Sequence, residues 1–235
     1  MAEAKPDRDS SSGEDLLLDY ASGALAEPVS VLVATMLALR PDLRRTVSEM
    51  EEVGGYLLEE IEPAALSDDA FDNVLALIDA DDIPANDILA PAANDDVITA
   101  FDEATRATVP EPLRSYLGKS LSGLSWRKLG PGIEEYRLPV TDKRFEISVF
   151  RFGPGRTVPT HSHEGSELTL VLDGAFSDTT GRYGRGDLAV NNEENHHAPV
   201  ADARDGCLCL SVTGGPLRFS NPLIQLYNRI TRGRA

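Results

Sequence analysis

The chain is poor in histidine and cysteine, and what it has is crowded into its second half. Neither residue occurs before His161. The four histidines are His161, His163, His196 and His197, and the two cysteines are Cys207 and Cys209. Two cysteines cannot make a disulfide framework. A first half without either residue cannot hold a Cys/His zinc site. Long apolar runs are also missing. Val29 to Leu39 is the longest, broken by Ser30 and Thr35, and too short for the roughly 20 apolar residues that cross a bilayer. Met1 to Ser12 is polar and charged, without a basic start leading into an apolar stretch. No signal peptide and no membrane partner are therefore expected, and the cytoplasm is the expected compartment. Bases are scarce in the first half. Residues 1–108 carry 25 acids against 6 bases, a balance of −19; the rest carries 14 against 16, or +2, which together give −17. Phosphate contacts need Lys and Arg, so direct nucleic-acid binding is not expected. A basic protein surface would suit the acidic half. A solvated helical surface that keeps the chain soluble is the plainer account.

This asymmetry argues for two modules. In the first, Ser11-Ser12-Gly13 leads into Glu14-Asp15-Leu16-Leu17, a helix start with acids in its first turn. Pro28 opens a second helix whose apolar face is Val29, Leu32, Val33, Met36 and Leu37. Pro41-Asp42 starts a third through Leu43, Val47, Met50 and Leu57-Leu58, with Gly54-Gly55 expected to weaken or kink its end. Ser67-Asp68-Asp69 caps a fourth, carrying Phe71, Val74, Leu75 and Ile78. Short loops between such helices make a small bundle. Acids mixed with Pro, Ala and Asn from Asp79 onward read as a connector, with at most a short helix near Val97–Ala107. The division expected is a helical domain over 1–90, a linker over 91–110 and a second domain over 111–235, opening on a short helix at Pro112–Leu117.

From Trp126 the period changes to two. Phe145, Ile147 and Val149 face one way, with Glu146 and Ser148 opposite. Leu168–Leu172 is a strand expected to end at the turn Asp173-Gly174, and Gly181 to Gly186 is expected to be another turn. Strands at this spacing without helices between them argue for an antiparallel barrel or jelly roll, so the fold class is α+β. His161-Ser162-His163 puts two imidazoles on one face of a strand. Glu167 can turn back to the same point across a glycine-containing bend, and a further histidine from the second half would close the set. Three imidazoles and a carboxylate suit one divalent first-row metal. Cys207 and Cys209 share a strand face. They read either as a redox-sensitive pair near the metal or as two small buried apolar side chains.

Gly155, His161, His163, Glu167 and Gly174 keep the spacing Gly-x5-His-x-His-x3-Glu-x6-Gly, which resembles the first cupin motif in full. Counting from Gly186, the second cupin motif places its histidine on His197. Asn192, Glu194 and Ala201 stand where Pro, Gly and Asn are usual. His196, one residue out of phase, should face the other way. The resemblance implies a metal held by His161, His163, Glu167 and His197: zinc first, with iron, manganese or nickel also compatible.

The run from Val33 to Arg45 is similar to the segment of zinc-binding anti-sigma domains that carries His-x3-Cys-x2-Cys. Met36, Arg40 and Leu43 occupy the three ligand positions, so no zinc is expected there. Met36 and Leu43 can fill by packing what a metal holds elsewhere. The two modules in this order, with Phe176-Ser-Asp-Thr-Thr-Gly-Arg-Tyr-Gly-Arg-Gly-Asp187, resemble the ChrR family of cupin anti-sigma factors. That resemblance implies a helical domain that sequesters an extracytoplasmic-function sigma factor and a cupin that senses oxidative stress. A homodimer is compatible with it. The alternative is a metal-dependent cupin oxygenase with an appended helical domain, in which Glu164 and Tyr183 are the available acid–base groups.

Overall fold

The computed structural model describes residues 10–79, 101–163, 165–215 and 217–219. Helices come first: α1 (Ser10–Ala21), α2 (Glu27–Leu39), α3 (Pro41–Glu59) and α4 (Ala70–Asp79). Prolines stand at or next to the first position of α2 and α3, where the missing N–H costs nothing. Helix α3 runs unbroken through Gly54-Gly55, contrary to the expected kink. Its hydrogen-bond ladder tolerates the two glycines, whose cost is one of propensity alone. Residues 80–100, among them 91–100 of the expected linker, lie outside the described residues. Residues 101–110 are packed: α5 (Glu103–Thr108) lies there, and Phe101, Thr105 and Val109 are buried. Helix α6 (Glu111–Leu117) ends at Gly118 with φ +67°, the left-handed cap that glycine supplies without strain.

Asp102 caps α5, its carboxylate accepting from the Thr105 amide at 2.7 Å and the Ser122 hydroxyl at 2.6 Å. The hydrogen bond from Ser122, then those from Thr105, hold its pKa at about 2, below its ordinary 3.8. A depressed carboxyl contributes stability that is present above 3.8 and lost as pH falls through the folded value. Asp102→Asn should therefore be less stable than the natural chain near neutrality, with the gap narrowing as pH falls from 4 toward 2. Thermal midpoints across that range check it; a gap independent of pH would refute the assignment.

The strands are β1 (Arg127–Gly130), β2 (Ile133–Arg137), β3 (Glu146–Phe152), β4 (His161–His163), β5 (Glu167–Asp178), β6 (Gly181–Gly184), β7 (Leu188–Asn191), β8 (Val200–Ala201), β9 (Cys207–Thr213) and β10 (Leu217–Phe219). The main sheet runs β1-β2-β3-β9-β5-β6, with β7 and β8 also on β5, and β4 pairs β10 in a second sheet. All pairings are antiparallel, as in a jelly roll. Strand β5 does not stop at Asp173-Gly174. It bulges between Val171 and Asp173 and continues to Asp178. Gly174, with φ +67°, lies so close to the Gly206 carbonyl that a Cβ would collide with it. This glycine serves a close strand approach rather than a hairpin turn. The expected turn over Gly181–Gly186 likewise begins as β6, which pairs with β5 from Gly181 to Gly184.

The two faces of the main sheet exchange their usual roles. Ile147, Val149, Leu170, Leu172, Leu208, Leu210 and Val212 lie on the outside of the jelly roll. They join one hydrophobic core with Leu32, Val33, Met36 and Leu37 of α2 and with Leu113 and Leu117 of α6. The inner face is mixed. Ser148, Ser211, Thr169 and Glu167 line part of it, and Phe150, Phe152, Cys207, Cys209 and Val171 line the rest. Glu135, 1 % exposed, is compensated there by Arg127 and by the Ser148 hydroxyl at 3.2 Å, as a buried carboxylate must be.

Candidate metal centre

Strand β4 meets the segment after β7 at a single antiparallel bridge between His161 and His197. Each residue donates its amide to the other's carbonyl at 3.1 Å. Directly opposed residues of such a pair project to the same side, so two imidazoles 36 positions apart meet. Their Nε2 atoms are 3.1 Å apart, and both rings are buried. Glu167, at the start of β5 on the facing sheet, places Oε2 3.6 Å from His197 Nε2. One ligand atom from each of the three residues lies within 4.8 Å of the others.

Hydrogen bonds fix what these nitrogens can do. His161 Nδ1 lies 2.9 Å from the Pro159 carbonyl, which can only accept. His197 Nδ1 lies 3.1 Å from Asp178 Oδ2, also an acceptor. Both Nδ1 atoms therefore carry a proton, which leaves the two Nε2 atoms facing each other at hydrogen-bonding distance. Two imidazole nitrogens and a carboxylate oxygen converge in a buried space, where a shared proton or a metal ion can join them. The donor set thus fits a divalent metal.

Three further residues hold these side chains, and no motif in the sequence points to them. Asp178, its side chain wholly shielded, orients His197. Burial alone would raise this carboxyl; hydrogen bonds with His197 and Thr180 outweigh it and hold the pKa below the ordinary range. Asn191 Nδ2 donates to Glu167 Oε2 and Ser211 Oγ to Glu167 Oε1, each at 3.3 Å. No spacing rule ties Asp178 to His197, since they meet only through the fold. Carboxylate support of a metal-binding imidazole is worth about 10–100-fold in metal affinity. Asp178→Asn should lose that much in chelator competition while keeping its circular dichroism.

The remaining expected site residues distribute as follows. The backbone of His163 pairs with Leu217 in β4–β10; its imidazole and Glu164 lie outside the described residues. His196 is exposed. Tyr183 is buried, its ring stacked on Phe176 and its hydroxyl 2.9 Å from Thr180 Oγ1. Cys207 and Cys209 are free and buried on the inner face. The hydrogen bond with Cys207 and burial push the Cys209 thiol well above its ordinary value, which keeps it protonated and unreactive. Met36 is buried in the shared core and Leu43 packs against it. Arg40 joins α2 to α3 and pairs in bidentate fashion with Asp42, at 2.9 and 2.6 Å.

Residues 119–217 match the profile of the ChrR Cupin-like domain. Over 220 residues the chain is 39 % identical to the anti-sigma-E factor ChrR of Cereibacter sphaeroides, covering 92 % of this chain and 95 % of that one. The chain belongs to the ChrR family. A crystal structure of Rhodobacter sphaeroides SigE in complex with the anti-sigma ChrR matches with a TM-score of 0.69 and 36 % identity, over 85 % of this chain and 96 % of that one. Met36, Arg40 and Leu43, where the sequence resembles the zinc-binding anti-sigma segment, are placed by the fold at the junction of α2 and α3. Packing and an ion pair occupy those positions.

Proposed function

We propose that this chain is an anti-sigma factor whose helices hold an extracytoplasmic-function sigma factor, and whose jelly roll carries one divalent metal as the sensing part. The observation that carries the reading is the bare apolar surface of α3 and α4. Tyr56, Leu57, Leu58, Phe71, Leu77 and Ile78 are each at least 60 % exposed, although the apolar face of α2 is fully packed. Large apolar side chains left exposed in this number mark a binding surface. Acids are interleaved with these residues in the sequence, from Glu51 and Glu52 to Asp69 and Asp72. The partner that fits presents apolar side chains ringed by basic ones, as a nucleic-acid-binding factor does. The ChrR relative crystallised with SigE supports a sigma factor as that partner.

Residues 1–90 form the partner-holding unit and 111–235 the sensing unit in this proposal. No described helix is long and apolar enough to cross a membrane, and the cytoplasm, where sigma factors work, is the proposed compartment. His163 is the fourth ligand beside His161, Glu167 and His197, and zinc suits three imidazoles and a carboxylate held in a closed set. The metal supplies a fixed cross-link between the two sheets. The protein's own part is to aim the lone pairs through Pro159 and Asp178. Cys207 and Cys209 act by packing.

The test is capture of a purified extracytoplasmic-function sigma factor from the same cell by the full-length chain. Phe71→Asp and Leu58→Asp should each weaken capture by roughly 30-fold or more, the effect of losing an interface anchor of about 2 kcal/mol. Added salt should weaken binding further, because exposed charges are screened beyond about 8 Å at physiological ionic strength. No capture by the natural chain, together with oxygen-dependent turnover by the iron-loaded protein, would overturn the reading in favour of an oxygenase.

A further inference from the structure

The stretch from Asp178 to Asp187 touches the metal centre at one end and the helices at the other. At the first end, Asp178 holds His197, and its Oδ1 accepts from Thr180 Oγ1 at 2.5 Å. Thr180 Oγ1 in turn lies 2.9 Å from the Tyr183 hydroxyl. At the far end, three consecutive residues grip the helices. Arg185 donates to the Thr108 and Ala107 carbonyls at 2.8 and 3.1 Å, and to the Leu172 carbonyl of β5. Those helix carbonyls belong to the last turn of α5, where a cation is favoured. Gly186, φ +81°, lies under Leu39 and Arg40, whose side-chain atoms a Cβ would meet at 3.3 Å. Asp187 Oδ1 lies 3.8 Å from Arg40 Nη1. Strand β7 then leads from Asp187 to Asn191, which holds Glu167.

We infer that this hairpin is a latch through which metal occupancy controls how firmly the ends of α2 and α5 are seated on the jelly roll. The inference rests on the metal reading of the site. With a cation drawing His197 and Glu167 together, Asp178 and Asn191 each keep a fixed partner, and the hairpin and β7 between them stay in register. Without it, a hydrogen bond between the two Nε2 atoms and the His197–Glu167 contact stand in place of metal bonds, so Asp178 and Asn191 are held less firmly and the turn at 185–187 loosens. Its hydrogen bonds to the α5 carbonyls are exposed, the kind that opens first. Arg40 thereby gains a role at a position where the related motif has a zinc-binding cysteine. It ties the α2–α3 junction to a metal centre elsewhere in the chain.

Hydrogen exchange read by mass spectrometry on the full-length chain tests this, comparing zinc-loaded with chelated protein. Chelation should speed exchange in residues 181–191, and also in 37–45 and 103–109, by roughly fivefold or more. In Arg185→Gln and Asp187→Asn, the Arg185 and Arg40 contacts with the helices are already weakened. The segment each contact holds should then exchange fast with zinc bound and gain little on chelation, while 188–197 still responds. Arg40→Gln should uncouple 37–45 alone and leave 103–109 responsive. Chelation that loosens the jelly roll and leaves both helix ends unchanged would overturn the inference. So would variants whose helices respond like the natural chain. Identical exchange over 161–197 with and without zinc would show instead that no metal binds there, removing the metal reading and the latch together.

Discussion

His197→Ala is expected to lose at least about 100-fold in metal affinity, more than the 10–100-fold typical of a supporting residue, whereas His196→Ala should lose none. The two imidazoles are adjacent in sequence and opposite in circumstance. His197 is buried, bridged to His161 and aimed by Asp178; His196 is exposed. Removing the His197 ring takes away one of the three converging donors and leaves Asp178 a shielded carboxylate without its partner. Glu167→Ala should behave similarly, since it removes the only carboxylate among those three donors. Elemental analysis after gel filtration, followed by chelator competition, gives the affinities. Equal losses at 196 and 197 would place the metal elsewhere.

Leu32→Ala is expected to cost about 2–5 kcal/mol, the range for truncating a fully buried leucine. Leu32 is 0 % exposed in α2, within the core that also holds Leu208, Leu210 and Val212 of β9. The cavity would open between helix and sheet, so both should be destabilised together. Denaturation can be followed by helical circular dichroism and by the fluorescence of Trp126, which sits beside β1 and donates to the Leu121 carbonyl at 2.9 Å. The two curves should coincide and shift together. Separate transitions, with only the helical one moved, would show that helices and jelly roll fold apart.

Much of this was legible in the residues. Proline and apolar spacing located α2 and α3, and the cupin spacing pointed to His161, Glu167 and His197, which the fold brings together. Alternation alone also paired Ile147 with Val149 and set Ser148 opposite them, but it did not tell which face was inside. A period-two pattern reports that two faces differ, and the usual inference puts the apolar one inward. Here α2 and α6 cover the outer face, so the apolar residues point outward. Asp178, Asn191 and Ser211 were hidden for another reason. Each reaches its ligand only across strands, at separations of 19, 24 and 44 residues. Asp173-Gly174 looked like a turn because glycine was read for its backbone freedom, when the position needs its lack of a side chain.

That outward apolar face also bears on how such a chain can be recombined. A jelly roll with its oily side within can be moved between hosts as a cassette. This one, cut out at residues 119–217, would carry Leu208, Leu210 and Val212 into water and tend to aggregate or to recruit stray helices. A chimera that exchanges the jelly-roll half between relatives would have to bring α2 and α6 with it, or rewrite Leu32, Val33, Leu113 and Leu117 to suit the incoming sheet. The seam in the sequence and the seam in the packing fall in different places, and splicing has to follow the second.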